Sequence, residues 1–148
     1  MTTSRLDDLV CFAIYSAANS TAQAYRQVLA PWNLTYTQYL VLVVLADGER
    51  SVSALGQELG LDSGTVSPLL ARLQTRGLVT RERRDQDERV VTVTLTTEGR
   101  STQLAVAGAV GCLTPAFVAA STDLPGLLAQ LHELAHNMRQ LTTELRSA

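Results

Sequence analysis

The chain of 148 residues contains no lysine, only two cysteines and no long run of apolar residues. Every cationic side chain is therefore an arginine, whose guanidinium keeps its charge and forms forked hydrogen bonds to phosphates and base edges. A compositional bias of the genome would equally explain the exclusive use of arginine. Cys11 and Cys112 are too few for a disulfide framework and fit no common metal site, so we expect core packing or redox chemistry. No apolar run approaches the roughly 20 residues of a membrane span, which predicts a soluble protein.

The composition is that of one folded domain, 1–148. Apolar residues make up 46% and charged residues 18%, which excludes an intrinsically disordered chain. The first nine residues include two acids and no apolar stretch, so no export signal is predicted and we expect a cytoplasmic protein. Because the net charge is −2, binding to nucleic acid would require local clustering of cations.

Such clustering occurs in the middle of the chain, where residues 72–89 hold half of the 12 basic residues. The clustered arginines are Arg72, Arg76, Arg81, Arg83, Arg84 and Arg89.

Long helices are predicted at both ends of the chain. Apolar residues recur every three or four positions over residues 6–29, and helices are also expected over 97–120 and 123–146. These segments are too apolar for one small core, so we interpret residues 5–30 and 97–146 as dimerisation helices that pack against a second copy.

Capping residues predict two helices between these ends. Thr35 and Gln38 resemble a capping box ahead of an almost wholly apolar run. Ser51 or Ser53 can cap a short helix that ends before Gly60, which suits a left-handed C-terminal cap.

A further helix and a hairpin follow. The helix is expected to begin at Gly64 or Thr65, to bury one apolar face and to end at Gly77. From Val79 onward apolar residues recur at every second position, as in a β-strand, and a charged turn at 84–88 separates two strands.

A short helix, a turn, a second helix and a basic hairpin describe a winged helix-turn-helix, here over residues 37–95. The predicted fold is mainly α with a small β-hairpin wing. In this geometry the second helix enters the major groove of DNA and the wing reaches a narrow, A·T-rich minor groove. The candidate DNA-binding residues are Ser63, Thr65, Ser67, Arg72, Arg83, Arg84, Asp87 and Arg89. Alternatively, the hairpin arginines pair with the neighbouring acids on a solvated surface.

Residues 61–99 closely resemble the MarR family of dimeric bacterial regulators, whose wing ends in an Asp-Glu-Arg motif, here residues 87–89. The segment around Cys11, together with Tyr25 and residues 34–44, is similar to the organic hydroperoxide resistance regulators (OhrR) of that family. The resemblance implies a homodimeric repressor without enzymatic activity or cofactor, which binds an inverted repeat in double-stranded DNA and releases it on reaction with an organic hydroperoxide.

The resemblance also implies roles for the cysteines and tyrosines. Cys11 would be the peroxide-sensing thiolate, with Tyr15, Tyr25 and Tyr36 near it, and Cys112 would resolve the oxidised sulfur of the other subunit. Tyr15 is one helical turn from Cys11, whereas Tyr25 is about 21 Å away along the same helix. Antiparallel packing of two first helices would bring Tyr25 to the partner's Cys11.

Two other functions are compatible with the sequence. The first is a regulator of the same fold that responds to an aromatic acid or drug bound between the dimer and DNA-binding regions, with inert cysteines. The second is a purely structural interaction module.

His132 and His136 complete a literal HExxH pattern, which on a helix can bind zinc. Because no later part of the chain returns a further ligand to close the site, no metal is predicted. Both histidines are therefore assigned to a dimerisation helix.

Overall fold

A computed structural model describes residues 5, 6, 8–84 and 87–147, with residues 84 and 87–89 described by their backbone alone. The described helices are α1 (Val10–Leu29), α2 (Tyr36–Ala46), α3 (Val52–Leu59), α4 (Ser63–Thr75), α5 (Thr97–Val110), α6 (Thr114–Ala120) and α7 (Leu124–Ser147). The strands are β1 (Arg50–Ser51), β2 (Val79–Arg84) and β3 (Asp87–Leu95). This mainly helical fold with a small antiparallel sheet confirms the predicted fold class.

The predicted caps of α2 and α3 are present. The Gln38 backbone N–H donates to the Thr35 hydroxyl at 3.2 Å, and the Thr35 N–H donates to Gln38 Oε1 at 3.0 Å, which completes the capping box. Of the two serines, Ser51 caps α3 by accepting the Ala54 N–H. Gly60 ends α3 in the left-handed conformation, with φ 65°.

Three helix boundaries differ from the sequence prediction. The first helix begins at Val10 and α4 begins at Ser63, because Asp62 provides its N-cap. The long helix expected over 97–120 is divided by a 3-10 turn at Gly111–Leu113, after which Pro115 lies in the first turn of α6.

The sheet has the order β1-β3-β2 and is antiparallel. In the hairpin Val79 pairs with Leu95 and Arg81 with Val93, and the register shifts between Arg83 and Arg84. The two-residue β1 joins the other edge of β3, so the wing has a third strand that was not predicted.

The chain divides into two compact units, Met1–Gly111 and Cys112–Ala148. The buried apolar residues lie in the first unit and come from its helices, its sheet and the turns that precede α2 and β2: Leu29, Leu34, Val41, Leu42, Leu45, Leu55, Val66, Leu70, Leu73, Leu78, Val79, Val93 and Val106. In the second unit none of the described residues is buried. The single domain 1–148 stays a prediction.

The helical stretch Thr97–Ala120 is long and apolar enough to cross a membrane by the criteria of length and composition. The expectation that no segment approaches a membrane span therefore fails on those criteria. The observation has little weight alone, because the core helix of a globular protein satisfies the same criteria.

The start of α5 packs closely against the start of β2. A side chain on Gly99 would overlap the Leu78 carbonyl, which belongs to the backbone and cannot rotate away. We expect Gly99→Ala to lower the free energy of unfolding by about 3 kcal/mol. In contrast, a Cβ on Gly108 meets no atom within 4 Å, and Gly108→Ala should stabilise α5 by up to about 1 kcal/mol. Urea denaturation of both variants tests this, and equal stabilities would contradict the close packing.

Candidate nucleic-acid interface and cysteine site

Helices α3 and α4 form the helix-turn-helix. The Leu61 N–H donates to the Gly56 carbonyl at 2.8 Å, which closes the turn between them. Helix α4 buries Val66, Leu70 and Leu73 against the core. The four residues predicted to read DNA are all exposed on α4: Ser63, Thr65, Ser67 and Arg72.

Asp62 organises the exposed N-terminus of α4. Its Oδ1 accepts the Thr65 backbone N–H at 2.9 Å, and its Oδ2 accepts the Thr65 hydroxyl at 3.1 Å. The hydrogen bond from the Thr65 side chain, followed by that from its backbone, lowers the pKa of the Asp62 carboxyl. Asp62 was not predicted as an N-cap, although aspartate is among the preferred residues at that position.

The wing presents Arg83 as an exposed residue of β2. The backbones of Arg84 and Asp87 pair at the end of the hairpin, and Arg89 follows in β3. The side chains of Arg84, Asp87 and Arg89 lie outside the described part of the structure. Their predicted contacts with DNA, and the alternative of ion pairs within the wing, therefore stay predictions.

A cavity of about 760 Å³ opens between α3, α4 and the wing. Its lining includes Ser53, Gln57, Ser67 and Arg81. The Nε of Arg81 is buried and has no hydrogen-bond partner among the described residues. This site was not predicted, since it depends on how β2 packs beside the helix-turn-helix.

Arg76 connects the end of α4 to the turn between α1 and α2. Its guanidinium donates to the carbonyls of Asn33 at 2.9 Å and Trp32 at 2.5 Å. Asn33 holds a left-handed conformation, with φ 49°. The clustered arginines therefore do not all serve one surface, because Arg76 is engaged by the protein's own backbone.

Both cysteines are exposed free thiols. Cys11 is the second residue of α1, and Cys112 lies in the 3-10 turn that follows α5. Tyr15 is 64% exposed, and its ring lies 6.4 Å from that of Phe12. Since α1 is continuous, Tyr25 lies about 21 Å along the helix from Cys11 in the same chain, as expected.

Three tyrosines gather where α1 meets α2. The ring centroid of Tyr25 lies 4.6 Å from that of Tyr36 and 5.8 Å from that of Tyr39. Burial is the main cause of the raised pKa of Tyr25, with Tyr36 and Tyr39 contributing, and burial also raises the pKa of Tyr39. The hydroxyl of Tyr25 therefore remains a donor at neutral pH. Tyr39 was missed, although it lies one turn after Tyr36 on α2.

The two histidines lie one turn apart on exposed surface of α7. Within the described residues, no cluster of three or more His, Cys, Asp or Glu side chains is placed to hold a metal ion.

A family model described as transcriptional regulator SarA/Rot matches residues 23–105. The HTH-type transcriptional regulator TtmR of Methylorubrum extorquens strain PA1 is 43% identical over 143 residues, which cover 96% of this chain and 70% of TtmR. The organic hydroperoxide resistance transcriptional regulator of Bacillus subtilis strain 168 is 33% identical over 137 residues, covering 92% of this chain and 93% of that protein.

AbfR of Staphylococcus epidermidis is a similar solved structure. Reduced AbfR bound to DNA superposes with a TM-score of 0.81 at 33% identity, covering 93% of this chain and 95% of AbfR. AbfR has also been solved overoxidised on DNA and with a disulfide formed.

The matched region contains α2 through β3 and most of the described core. Its relatives are transcriptional regulators, and the solved relative places the same fold on DNA. The chain is thus a DNA-binding transcriptional regulator and belongs to the SarA/Rot and MarR group of winged-helix proteins.

Proposed function

We propose that the protein is a homodimeric repressor of the two-cysteine OhrR type, which releases DNA when an organic hydroperoxide oxidises Cys11. The observation that carries this proposal is an exposed free thiol at one end of α1 and a tyrosine cluster at the other. Antiparallel α1 helices of two subunits would join these halves into one site. The similarity to the Bacillus subtilis regulator supports the same chemistry.

The chemistry is a two-electron oxidation of sulfur. The Cys11 thiolate attacks the terminal peroxide oxygen, the O–O bond breaks, and an alcohol leaves after taking up a proton. A sulfenic acid remains on Cys11, and the hydroperoxide has been reduced. Donation from the Tyr25 and Tyr36 hydroxyls would stabilise the attacking thiolate.

Cys112 is proposed to complete the reaction. Its thiolate attacks the Cys11 sulfenic sulfur of the other subunit, an S–S bond forms, and water leaves. The exposure of Cys112 and the existence of a disulfide form of AbfR support this step.

The second unit supports dimerisation. Large apolar side chains of α7 remain exposed, among them Leu128 at 54%, Met138 at 55% and Leu145 at 71%. A helix with this much apolar surface gains stability only when a partner covers it. A second copy of the chain would bury the apolar side chains of α7.

DNA binding is proposed to use an inverted, A·T-rich repeat in the cytoplasm, without a cofactor. Ser63, Thr65, Ser67 and Arg72 would face the major groove, and the wing would place Arg89 in the minor groove. The support from geometry is the exposed outer face of α4 beside the hairpin.

Fluorescence anisotropy with promoter DNA from upstream of the protein's own gene tests the proposal. We expect the reduced protein to bind, cumene hydroperoxide to release the DNA, and dithiothreitol to restore binding. Salicylate should have no effect. Release by salicylate but not by cumene hydroperoxide would overturn the redox function in favour of ligand control.

Ligand control is favoured by one observation. The cavity beside α4 is lined by Arg81, whose buried Nε has no partner in the described part of the chain and could donate to the carboxylate of an aromatic acid. This position lies beside the DNA-binding helix, whereas the sequence analysis expected a ligand between the dimer and DNA-binding regions.

Tyr25→Phe removes a hydroxyl and keeps the ring that packs on Tyr36. We expect sulfenic acid formation on Cys11 to slow by about tenfold, a typical value for one hydrogen bond to a charged group. DNA affinity of the reduced protein should stay the same. Stopped-flow trapping of the sulfenic acid measures the rate, with Tyr15→Phe as the matched variant. An unchanged rate in Tyr25→Phe would remove Tyr25 from the site.

A further inference from the structure

Asp62 and Thr65 form a hydrogen-bonded pair at the N-terminus of α4, the helix proposed above to face the major groove. Both residues are exposed, and neither belongs to the core. The pair therefore has two consequences: it caps the helix, and it fixes which hydrogen-bonding groups the helix presents to a base.

The direction of the side-chain bond follows from the chemistry of the two groups. An ionised carboxylate accepts hydrogen bonds and cannot donate, so the 3.1 Å bond between Thr65 Oγ1 and Asp62 Oδ2 uses the threonine proton. The hydroxyl oxygen keeps its lone pairs. Because hydrogen bonding lowers the pKa of Asp62, the carboxylate persists at neutral pH.

Base pairs differ in which donors they present in the major groove. Adenine N6 and cytosine N4 carry amino groups. Guanine O6 and N7, thymine O4 and adenine N7 are acceptors, so adenine presents both kinds of group. A hydroxyl that has given its proton to Asp62 can pair only with an amino group.

We propose that Asp62 is a specificity-determining residue, which makes Thr65 a hydrogen-bond acceptor and thereby selects adenine or cytosine on the contacted strand. This inference rests on DNA binding by the family and is independent of the peroxide chemistry. Asp62 acts through Thr65 and is in that respect a positioning residue.

Asp62→Asn reverses the bond and preserves the cap. Asparagine is as good an N-cap as aspartate, since its Oδ1 accepts the Thr65 N–H. Its amide nitrogen donates to the Thr65 hydroxyl, which frees the threonine proton to point toward a base. At the contacted position, the preference should shift about fivefold from cytosine toward guanine or thymine, whereas adenine, which presents both a donor and an acceptor, should change less.

Selection and sequencing of a randomised 30-base-pair duplex pool compares the full-length proteins at one salt concentration. Removing a negative charge from Asp62 raises affinity for all sequences alike, so only a change in base preference reports on the hydroxyl. Asp62→Ser is the control for charge: it caps the helix, leaves the hydroxyl free to rotate, and should relax the preference without reversing it.

Thr65→Val keeps the shape of the side chain and should reduce the preference at the same position. This variant also tests the proposal if Asp62→Asn proves unstable. Identical selected sequences for wild type and Asp62→Asn, or for wild type and Thr65→Val, would overturn it. A wild-type protein that enriches no sequence would instead refute operator binding itself.

Discussion

Cys11→Ser is expected to bind operator DNA with wild-type affinity and to show no release at any dose of cumene hydroperoxide. A serine hydroxyl is neither appreciably ionised near neutral pH nor oxidised by hydroperoxides, so the sensing step is lost completely. Cys11 belongs to α1, which does not contribute to the helix-turn-helix, so DNA contacts should remain. Anisotropy titrations with and without the oxidant measure both properties. Release of DNA from Cys11→Ser by peroxide would refute the sensor assignment.

Cys112→Ser is the matched variant. It should still form sulfenic acid on Cys11, but without a resolving thiol that acid persists or proceeds to sulfinic acid. DNA release should then become incomplete or, at high peroxide dose, irreversible by dithiothreitol. On a nonreducing gel, oxidised wild type should run as a covalent dimer and both single mutants as monomers. Wild type that releases DNA while running as a monomer would contradict the bond between subunits.

Arg72→Ala is expected to weaken operator binding by about tenfold or more, because arginine contacts with bases or phosphates contribute about 1–3 kcal/mol each. Arg72 is exposed in the last turn of α4. If it contacts a phosphate, the slope of log affinity against log salt should flatten by about one. If it reads a base, specificity at one position should relax instead.

Arg26→Ala is the control for charge, since Arg26 lies in the last turn of α1. It should leave both the affinity and the salt slope unchanged. Equal affinities of Arg72→Ala and wild type, measured from about 50 to 200 mM salt, would remove Arg72 from the DNA contact.

Local chemistry explains which parts of the fold were predictable. The Thr35 and Gln38 capping box involves residues three positions apart, so its pattern is complete within the sequence. The break at Gly111–Leu113 was missed because the surrounding residues stay apolar across it and Pro115 is tolerated in the first turn of a helix. The strand β1 was missed because two residues are too few to show an alternating pattern of apolar and polar residues. Only its pairing with β3 defines it as a strand.

In the candidate site too, features set by a local sequence pattern were predictable, whereas those set by packing between distant segments were not. Exposure of Ser63, Thr65, Ser67 and Arg72 follows from the helical period of α4, which the buried leucines reveal. The contact between Tyr25 and Tyr36 instead depends on the 73° bend between α2 and the helix formed by α1 and the 3-10 turn that follows it. No local sequence pattern specifies this bend. Arg76 similarly reaches carbonyls 43 and 44 residues earlier in the chain.

Hydrogen bonds of Thr96 connect the wing to the start of α5. The Thr96 hydroxyl donates to the Gly77 carbonyl at 2.6 Å and accepts the Gly99 N–H at 2.9 Å, while the Thr96 N–H donates to the Leu78 carbonyl. Because Thr96 takes part in all three bonds, we expect the amides of Thr96 and Gly99 to exchange with solvent deuterium as one cooperative unit. We therefore expect the wing to move together with α5 when that helix rotates.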